Sequence, residues 1–450
     1  EEYRSDAADT DVKDVLSVRT TGHEKIEVDV VADEQEYKSP IAIVGMDACF
    51  GKLRSLRAFQ EAIFNGKPAI GPRPKDRWRG AENTNLHQLA NKDLHGAYMD
   101  SFDWNFNEFN IPPAEIPDII PQHLLMLKSA CNALQDAGLP VKQTKETMGA
   151  VIGIDFDYEA TDYHLRWMLP EKMRKWNTQY ELNLSESDLL AWQEYLQNAM
   201  VPPLTSNRTQ GALAGIIASR VAKAFLFGAP SIAISAEEAS GIKALGIAVD
   251  ALQQREMDAA LVGGVDFGGD VRNLVMRSSF DGYSGQKTVR PFDMESLGTL
   301  PGEGSASLVL KRLDEAIKAG HRIYAVIRGS GAASGGGIDT PLDAGAYQKS
   351  LARCFQDARV SRESIQLFET HGSGLPLEDN LEADVLNSFF KNKPQHCAIG
   401  AAMPIVGHTG AASGLASIVK TCLSLYHEVV PPLANFSEPP ENIWNADRFY

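Results

Sequence analysis

Three glycine-rich clusters hold most of the residues in this sequence that could do chemistry. They are Ser235-Ala236-Glu237-Glu238-Ala239-Ser240-Gly241, Glu369-Thr370-His371-Gly372-Ser373-Gly374 and Val406-Gly407-His408-Thr409-Gly410. His371 and His408 each stand alone in a turn, and imidazole is the side chain whose proton moves near neutral pH. Such residues suit proton transfer; a turn histidine can equally do no more than bond to backbone. The other candidates are five cysteines, Cys49, Cys131, Cys354, Cys397 and Cys422, none in a CxxC pair. An odd number without zinc or disulfide spacing points to a reducing compartment and to no metal site. Whether any of them is a nucleophile decides the functional class.

In open α/β sheets, reactive groups collect just beyond the carboxyl ends of strands. A strand precedes each cluster. Ile41-Ala42-Ile43-Val44-Gly45-Met46 is a continuous apolar run, as expected of a strand covered on both faces. The spacing predicts strands at Ala150–Ile154, Ser231–Ser235 and Ala259–Val265. It predicts helices at Leu124–Ala137, closed by Gly138, and at Leu213–Phe225 and Ser240–Gln253. The scheme then restarts with strands at Ile323–Ile327, Gln366–Glu369 and Ala398–Gly400 and helices at Ala346–Ala358, Leu381–Phe390 and Gly414–Tyr426. That succession implies an α/β protein with mainly parallel sheets, its two halves duplicates of one unit.

The length agrees, because 450 residues exceed one core of about 100–200 residues. The expected organisation is an acidic linker over 1–38, one half over 39–315 and a second over 316–450, with an insertion rich in aromatics and charges at 155–198. Residues 1–38 hold twelve acidic and five basic side chains and little apolar content beyond a short strand pattern at Ile26–Val31. The whole chain carries 43 − 59 = −16, with no basic stripe interleaved with aromatics, so nucleic acid is not an expected partner. No apolar run is long enough to span a membrane, and Glu1-Glu2-Tyr3-Arg4 has no signal-peptide character; the expected location is cytoplasmic.

Further motifs fall in a fixed order around the clusters. Pro121-Gln122-His123-Leu124-Leu125 precedes the first long helix, and Gly228-Ala229-Pro230-Ser231 leads into a strand. Then come Gly263-Gly264-Val265, Arg290-Pro291-Phe292-Asp293, Gly302-Glu303-Gly304 and Leu310-Lys311-Arg312-Leu313, and the last cluster runs on through Ala411-Ala412. The ordered set, over residues 39–450, resembles the β-ketoacyl synthases of fatty acid and polyketide synthesis, members of the thiolase-like superfamily. The resemblance implies a thiolase-like fold, two duplicated α/β halves in a layered αβαβα arrangement. It also implies a last pair of strands with a Gly-Phe-Gly-Gly-rich loop, which lies beyond Tyr450.

In that family a cysteine sits where the nucleophile strand turns into its helix, and the helix N-terminus lowers the thiol pKa. Two histidines hold the malonyl thioester carbonyl while carbon dioxide leaves and stabilise the enolate. The resemblance places His371 and His408 as that catalytic pair and puts Glu238 at the cysteine position, as a side chain that is not a nucleophile. It puts Met403 and Ile405 where the family has lysine and asparagine, and Leu375 at its second threonine. A carboxylate attacking a thioester would give a mixed anhydride, so condensation is not expected. At a helix N-terminus beside histidines Glu238 should be ionised and should repel a malonyl carboxylate, while it caps the helix or pairs with a cation. Glu237 is then a neighbour without its own role, and Cys131, Cys354 and Cys422 are core residues.

Ketosynthase-like proteins without the cysteine include the chain length factors. The stretches Gly45-Met46-Asp47-Ala48-Cys49-Phe50-Gly51 and Asp76-Arg77-Trp78-Arg79 and the 155–198 insertion resemble the chain length factor domains of polyunsaturated fatty acid synthases. The resemblance implies an active ketosynthase as dimer partner, with strand Ser231–Ser235 pairing across the two-fold. It implies acyl-phosphopantetheine on an acyl carrier protein as the substrate of the complex, with no bound cofactor. Met126, Leu125, Leu375 and Met403 are then candidates to line the acyl tunnel. Two enzymatic alternatives stand beside this: a malonyl-acyl carrier protein decarboxylase using His371 and His408, and an elongating ketosynthase.

Overall fold

The computed structural model describes residues 39–75, 77–78, 94–109, 111–155, 158, 160–278, 282–336, 342–391, 396–441, 443–444 and 449. The acidic segment with its expected strand at Ile26–Val31, and Asp76 and Arg79, lie outside the described residues.

The first half is built from β1 (Ile41–Phe50), α1 (Leu56–Phe64), α2 (Phe106–Phe109), α3 (Pro121–Asp136) and β2 (Met148–Ile154). The insertion supplies α4 (Ala160–Gln179) and α5 (Glu186–Met200). After α6 (Ser206–Ala212) and α7 (Ile217–Phe225) come β3 (Ser231–Ile234), α8 (Ser240–Gln253), β4 (Ala259–Phe267), α9 (Val271–Arg277) and β5 (Glu303–Arg312). Then follow α10 (Leu313–Lys318), β6 (Ala325–Ile327), α11 (Ala344–Ala358), β7 (Leu367–Thr370), α12 (Pro376–Phe389), β8 (Ala398–Ala401), α13 (Met403–Val406) and α14 (Ser413–His427).

β1 to β6 form one sheet in the order β3-β2-β4-β5-β1-β6. Its direction corrects the expectation of mainly parallel sheets. β2 runs parallel to β3 and β4, but β4–β5, β5–β1 and β1–β6 are antiparallel. Two strands, β5 and β6, run against the others, and β5 has an apolar pattern that is interrupted by small polar residues (Ser305, Ser307) and predicts no strand. Those serines are fully buried, and Ser307 Oγ bonds Ser129 Oγ of α3 at 2.9 Å. A strand buried on both faces reads as an apolar run in either direction, so the run does not encode polarity.

The pleat sends alternate residues to two cores. Ile152, Leu261 and Val309 pack under α3 and α7, while Val151, Val262 and Leu308 pack under α8 and α14. α3 ends where expected, with Gly138 at φ +68°. The predicted helix from Leu213 begins instead as a 3-10 turn over Ala214–Ile216 and becomes α-helical at Ile217.

Beyond α8 and α14 lies a second sheet in which β7 and β8 are parallel, Leu367 opposite Ala398. Glu369 points to α14, where it meets Lys420, whereas Phe368 and Ile399 join a cluster with Leu351 of α11 and Leu386 and Phe389 of α12. Helices, sheet, helices, sheet and helices thus form the layered αβαβα arrangement expected. The insertion is a helical hairpin with its own cluster around Leu169, Met173 and Leu189, tied to α9 by Arg272 bonding Asp162 at 2.8 Å.

Candidate functional site

The turn between β3 and α8 is fixed by one buried serine. Ser240 Oγ accepts the Ala236 N–H at 2.9 Å and donates to the Glu237 carbonyl at 2.5 Å. The tightness shows at Glu237, whose φ of +50° lies in the left-handed region that a side chain tolerates at a cost of roughly 1 kcal/mol. This conformation throws residue 238 forward. The helix cap is Ala239, with no side-chain bond, so Glu238 does not cap α8.

Glu238 pairs with a cation. Arg277, the last residue of α9, donates through Nη1 to Glu238 Oε1, and His408 Nε2 lies 3.2 Å from the same oxygen. His408 Nδ1 accepts the Gly410 N–H at 3.4 Å, which leaves the ring proton on Nε2, directed at the carboxylate. Partial burial pushes the Glu238 carboxyl up, but the bonds from His408 and Arg277 and the charge of Arg277 outweigh it and hold the group well below the usual carboxylate range. Burial would lower Arg277, and Glu238 keeps it raised instead.

The two histidine turns follow β7 and α13. The His408 N–H bonds the Leu300 carbonyl at 2.7 Å, and the turn that follows is held by Asp266 at the end of β4, whose Oδ2 accepts the Ala411 N–H at 3.0 Å. Burial pushes Asp266 up to about 7, against that N–H bond. The His371 turn is held by Glu382 of α12, which accepts the N–H groups of His371 (2.9 Å) and Gly372 (3.0 Å) and the Tyr347 hydroxyl (2.6 Å). The rings of His371 and His408 lie 6.2 Å apart, edge to face. His371 is half-exposed, with Nε2 3.9 Å from Glu378.

The structure thus brings Glu238 onto His408 and sets His371 beside His408. Among the tunnel candidates, Met403 shares a cavity with His371. Met126 and Leu125 are fully buried core residues of α3, with Met126 filling the space that a side chain at Gly263 would need. Leu375 sits at the start of α12, its N–H bonded to Ser373 Oγ at 3.1 Å. Met403 lines a cavity of about 530 Å³ between β6 and β7 over α14, with Ile327, Glu369, His371 and Thr421 in its walls.

No thiol stands at the turn. Burial pushes Cys49, Cys131 and Cys422 each up to about 12, and Cys397 is fully buried. Among the described residues no group of three His, Cys, Asp or Glu is placed to hold a metal ion, and no helix is long and apolar enough to cross a membrane. Sequence reasoning missed Arg277, Asp266 and Glu382. The spacing Glu378-Asp379-Leu381-Glu382 at the start of a helix was a usable signal for Glu382, since carboxylates there face the turn before it. Arg277 and Asp266 had no local signal.

A five-layer fold with two histidine turns converging on a strand-to-helix elbow defines a thiolase-like protein of the ketosynthase kind. The family models agree: the β-ketoacyl synthase N-terminal domain matches residues 38–316 and the C-terminal domain residues 324–437. The chain belongs to the β-ketoacyl synthase family. It is 27% identical over 421 residues to a polyunsaturated fatty acid synthase protein of Thraustochytrium sp., covering 90% of this chain and 15% of that protein. It is 30% identical to a phenolphthiocerol/phthiocerol polyketide synthase protein of Mycobacterium tuberculosis, covering 90% and 18%. The chain therefore spans less than a fifth of the length of these relatives. Among solved structures it is similar to the ketosynthase from module 6 of the bacillaene synthase of Bacillus subtilis (TM-score 0.74, 26% identity, 91% of this chain and 66% of that one). It is also similar to the PfaC ketosynthase-chain length factor (TM-score 0.72, 26% identity, 86% and 40%).

Proposed function

We propose that this chain is a non-condensing ketosynthase homologue of the chain-length-factor type that dimerises with an active ketosynthase and shapes the acyl tunnel in polyunsaturated fatty acid or polyketide synthesis. One observation carries the reading. The residue presented by the β3–α8 elbow is a carboxylate, and its Oε1 is already engaged by Arg277 and His408. A carboxylate so engaged has little nucleophilicity, and Met403 and Ile405 put buried apolar side chains beside the histidine turn.

The edge at β3 supports a dimer partner. Among the described strands β3 is outermost on its side of the sheet, and Leu213, Leu226 and Ile232, on or next to it, are exposed apolar residues. The substrate of the complex is an acyl-phosphopantetheine on a carrier protein in the cytoplasm, handled by two fused halves spanning 39–315 and 316–450. Carrier proteins are acidic, so the partner ketosynthase supplies the basic docking patch rather than this chain with its charge of −16. The test is product formation by the ketosynthase pair carrying Glu238→Gln. Rates within a few-fold of the parent are expected; a thousandfold loss with the complex still assembled defeats the reading.

The paired histidines, 6.2 Å apart, favour a second reading as a malonyl-carrier protein decarboxylase. Carbon dioxide release from malonyl-carrier protein by the purified chain decides it. Stoichiometric, substrate-protectable alkylation of one cysteine would instead mark an elongating ketosynthase.

A further inference from the structure

Two groups from different elements converge on one oxygen of Glu238. Arg277 arrives from the end of α9 with its side chain 11% exposed, and His408 arrives from the turn before α14 with 8% exposed. A guanidinium removed from water to that degree needs an anion against it. Asp155 Oδ2 lies 4.0 Å from Nη2, and Glu238 bonds the head group directly through Nη1. An anion bonded to Arg277 is thus supplied by the turn that holds Glu237 at φ +50°.

We propose that Arg277 and His408 form a carboxylate-binding site whose occupant is the chain's own Glu238, and that a short monocarboxylate enters it when residue 238 no longer reaches. The size follows from covalent structure: shortening Glu to Ala removes one CH2–COO⁻ unit, which acetate replaces. The charge follows from the surroundings. Asp155 lies close enough to Arg277 to interact with it, so the site takes a monoanion more readily than a dianion. The proposal rests on the reading of Glu238 as a tethered group rather than a nucleophile. It also changes what bars substrate: Arg277 offsets the charge that would repel a malonyl group, and occupancy of the site remains as the obstacle.

The test reads anion binding and not product formation, so it can fail independently of the chain-length-factor reading. The full chain carrying Glu238→Ala is melted in sodium acetate and in sodium chloride of equal ionic strength. Acetate at about 100 mM should raise its melting temperature by more than about 1 °C over chloride. The unsubstituted chain and Glu238→Ala/Arg277→Met should show no such difference. If Glu238→Ala does not fold, Glu238→Ser is read in the same way. Broadening of the carbon-13 signal of labelled acetate by the same proteins gives a second measure. Acetate behaving as chloride on the shortened variant, or acting equally on the double variant, overturns the proposal.

Discussion

Replacing Asp266 by Asn should stabilise the protein at alkaline pH and do progressively less as pH falls. Asp266 accepts the Ala411 N–H, and burial raises its carboxyl to about 7 from an ordinary value near 3.8. A carboxyl whose folded-state pKa is raised binds its proton more tightly when folded. Its contribution to stability is whole below pH about 4 and is lost as pH rises through about 7. With those two values, the wild-type carboxyl costs about 1.5 kcal/mol at pH 5 and about 4 kcal/mol at pH 8. Asn keeps an oxygen for the Ala411 N–H and does not titrate. The advantage of Asp266→Asn should therefore grow by about 2.5 kcal/mol between pH 5 and pH 8, or by about 1.5 if the folded pKa lies a unit lower. Urea unfolding of both proteins at the two pH values measures this directly. An advantage that is the same at both values, or larger at pH 5, would show that Asp266 is ionised in the folded protein and would refute the reasoning.

Three other substitutions test the packing beneath the site. Lys420→Met leaves Glu369, whose Oε1 has no hydrogen-bond partner among the described residues, as a buried unpaired carboxylate, and should cost about 3–5 kcal/mol by urea unfolding; Lys420→Met/Glu369→Gln should recover most of it. Glu382→Gln puts an amide donor against the N–H of His371 or Gly372 and should cost about 1–3 kcal/mol in the same assay. Tyr347→Phe, which removes only one donor to Glu382, should cost about 1 kcal/mol.

Most elements were legible because their signals are local. The helix at Ser240–Gln253 has the bounds that its sequence predicts, since its apolar spacing and the turn before it lie within one stretch of chain. β5 was not legible: Ser305 and Ser307 break its apolar run, and only the bond from Ser307 to Ser129 of α3 shows why a serine is acceptable there. Met126 is legible in the chain only as an apolar residue. Apolar character is the same for a tunnel wall and a core, and only packing under Gly263 separates them.

At the site, the type of residue at each position was decided along the chain. Glu238 stands where a thiol would be needed and His371 and His408 lie in turns, because side-chain chemistry and turn-forming glycines are properties of short stretches. What Glu238 does there was decided by the fold. Its partners lie 39 and 170 residues away, and whether a carboxylate caps a helix, repels a substrate or binds an arginine depends on which groups the layers bring within bonding distance. Neither periodicity nor composition carries that information, because a single contact between distant residues leaves no repeating pattern in the chain.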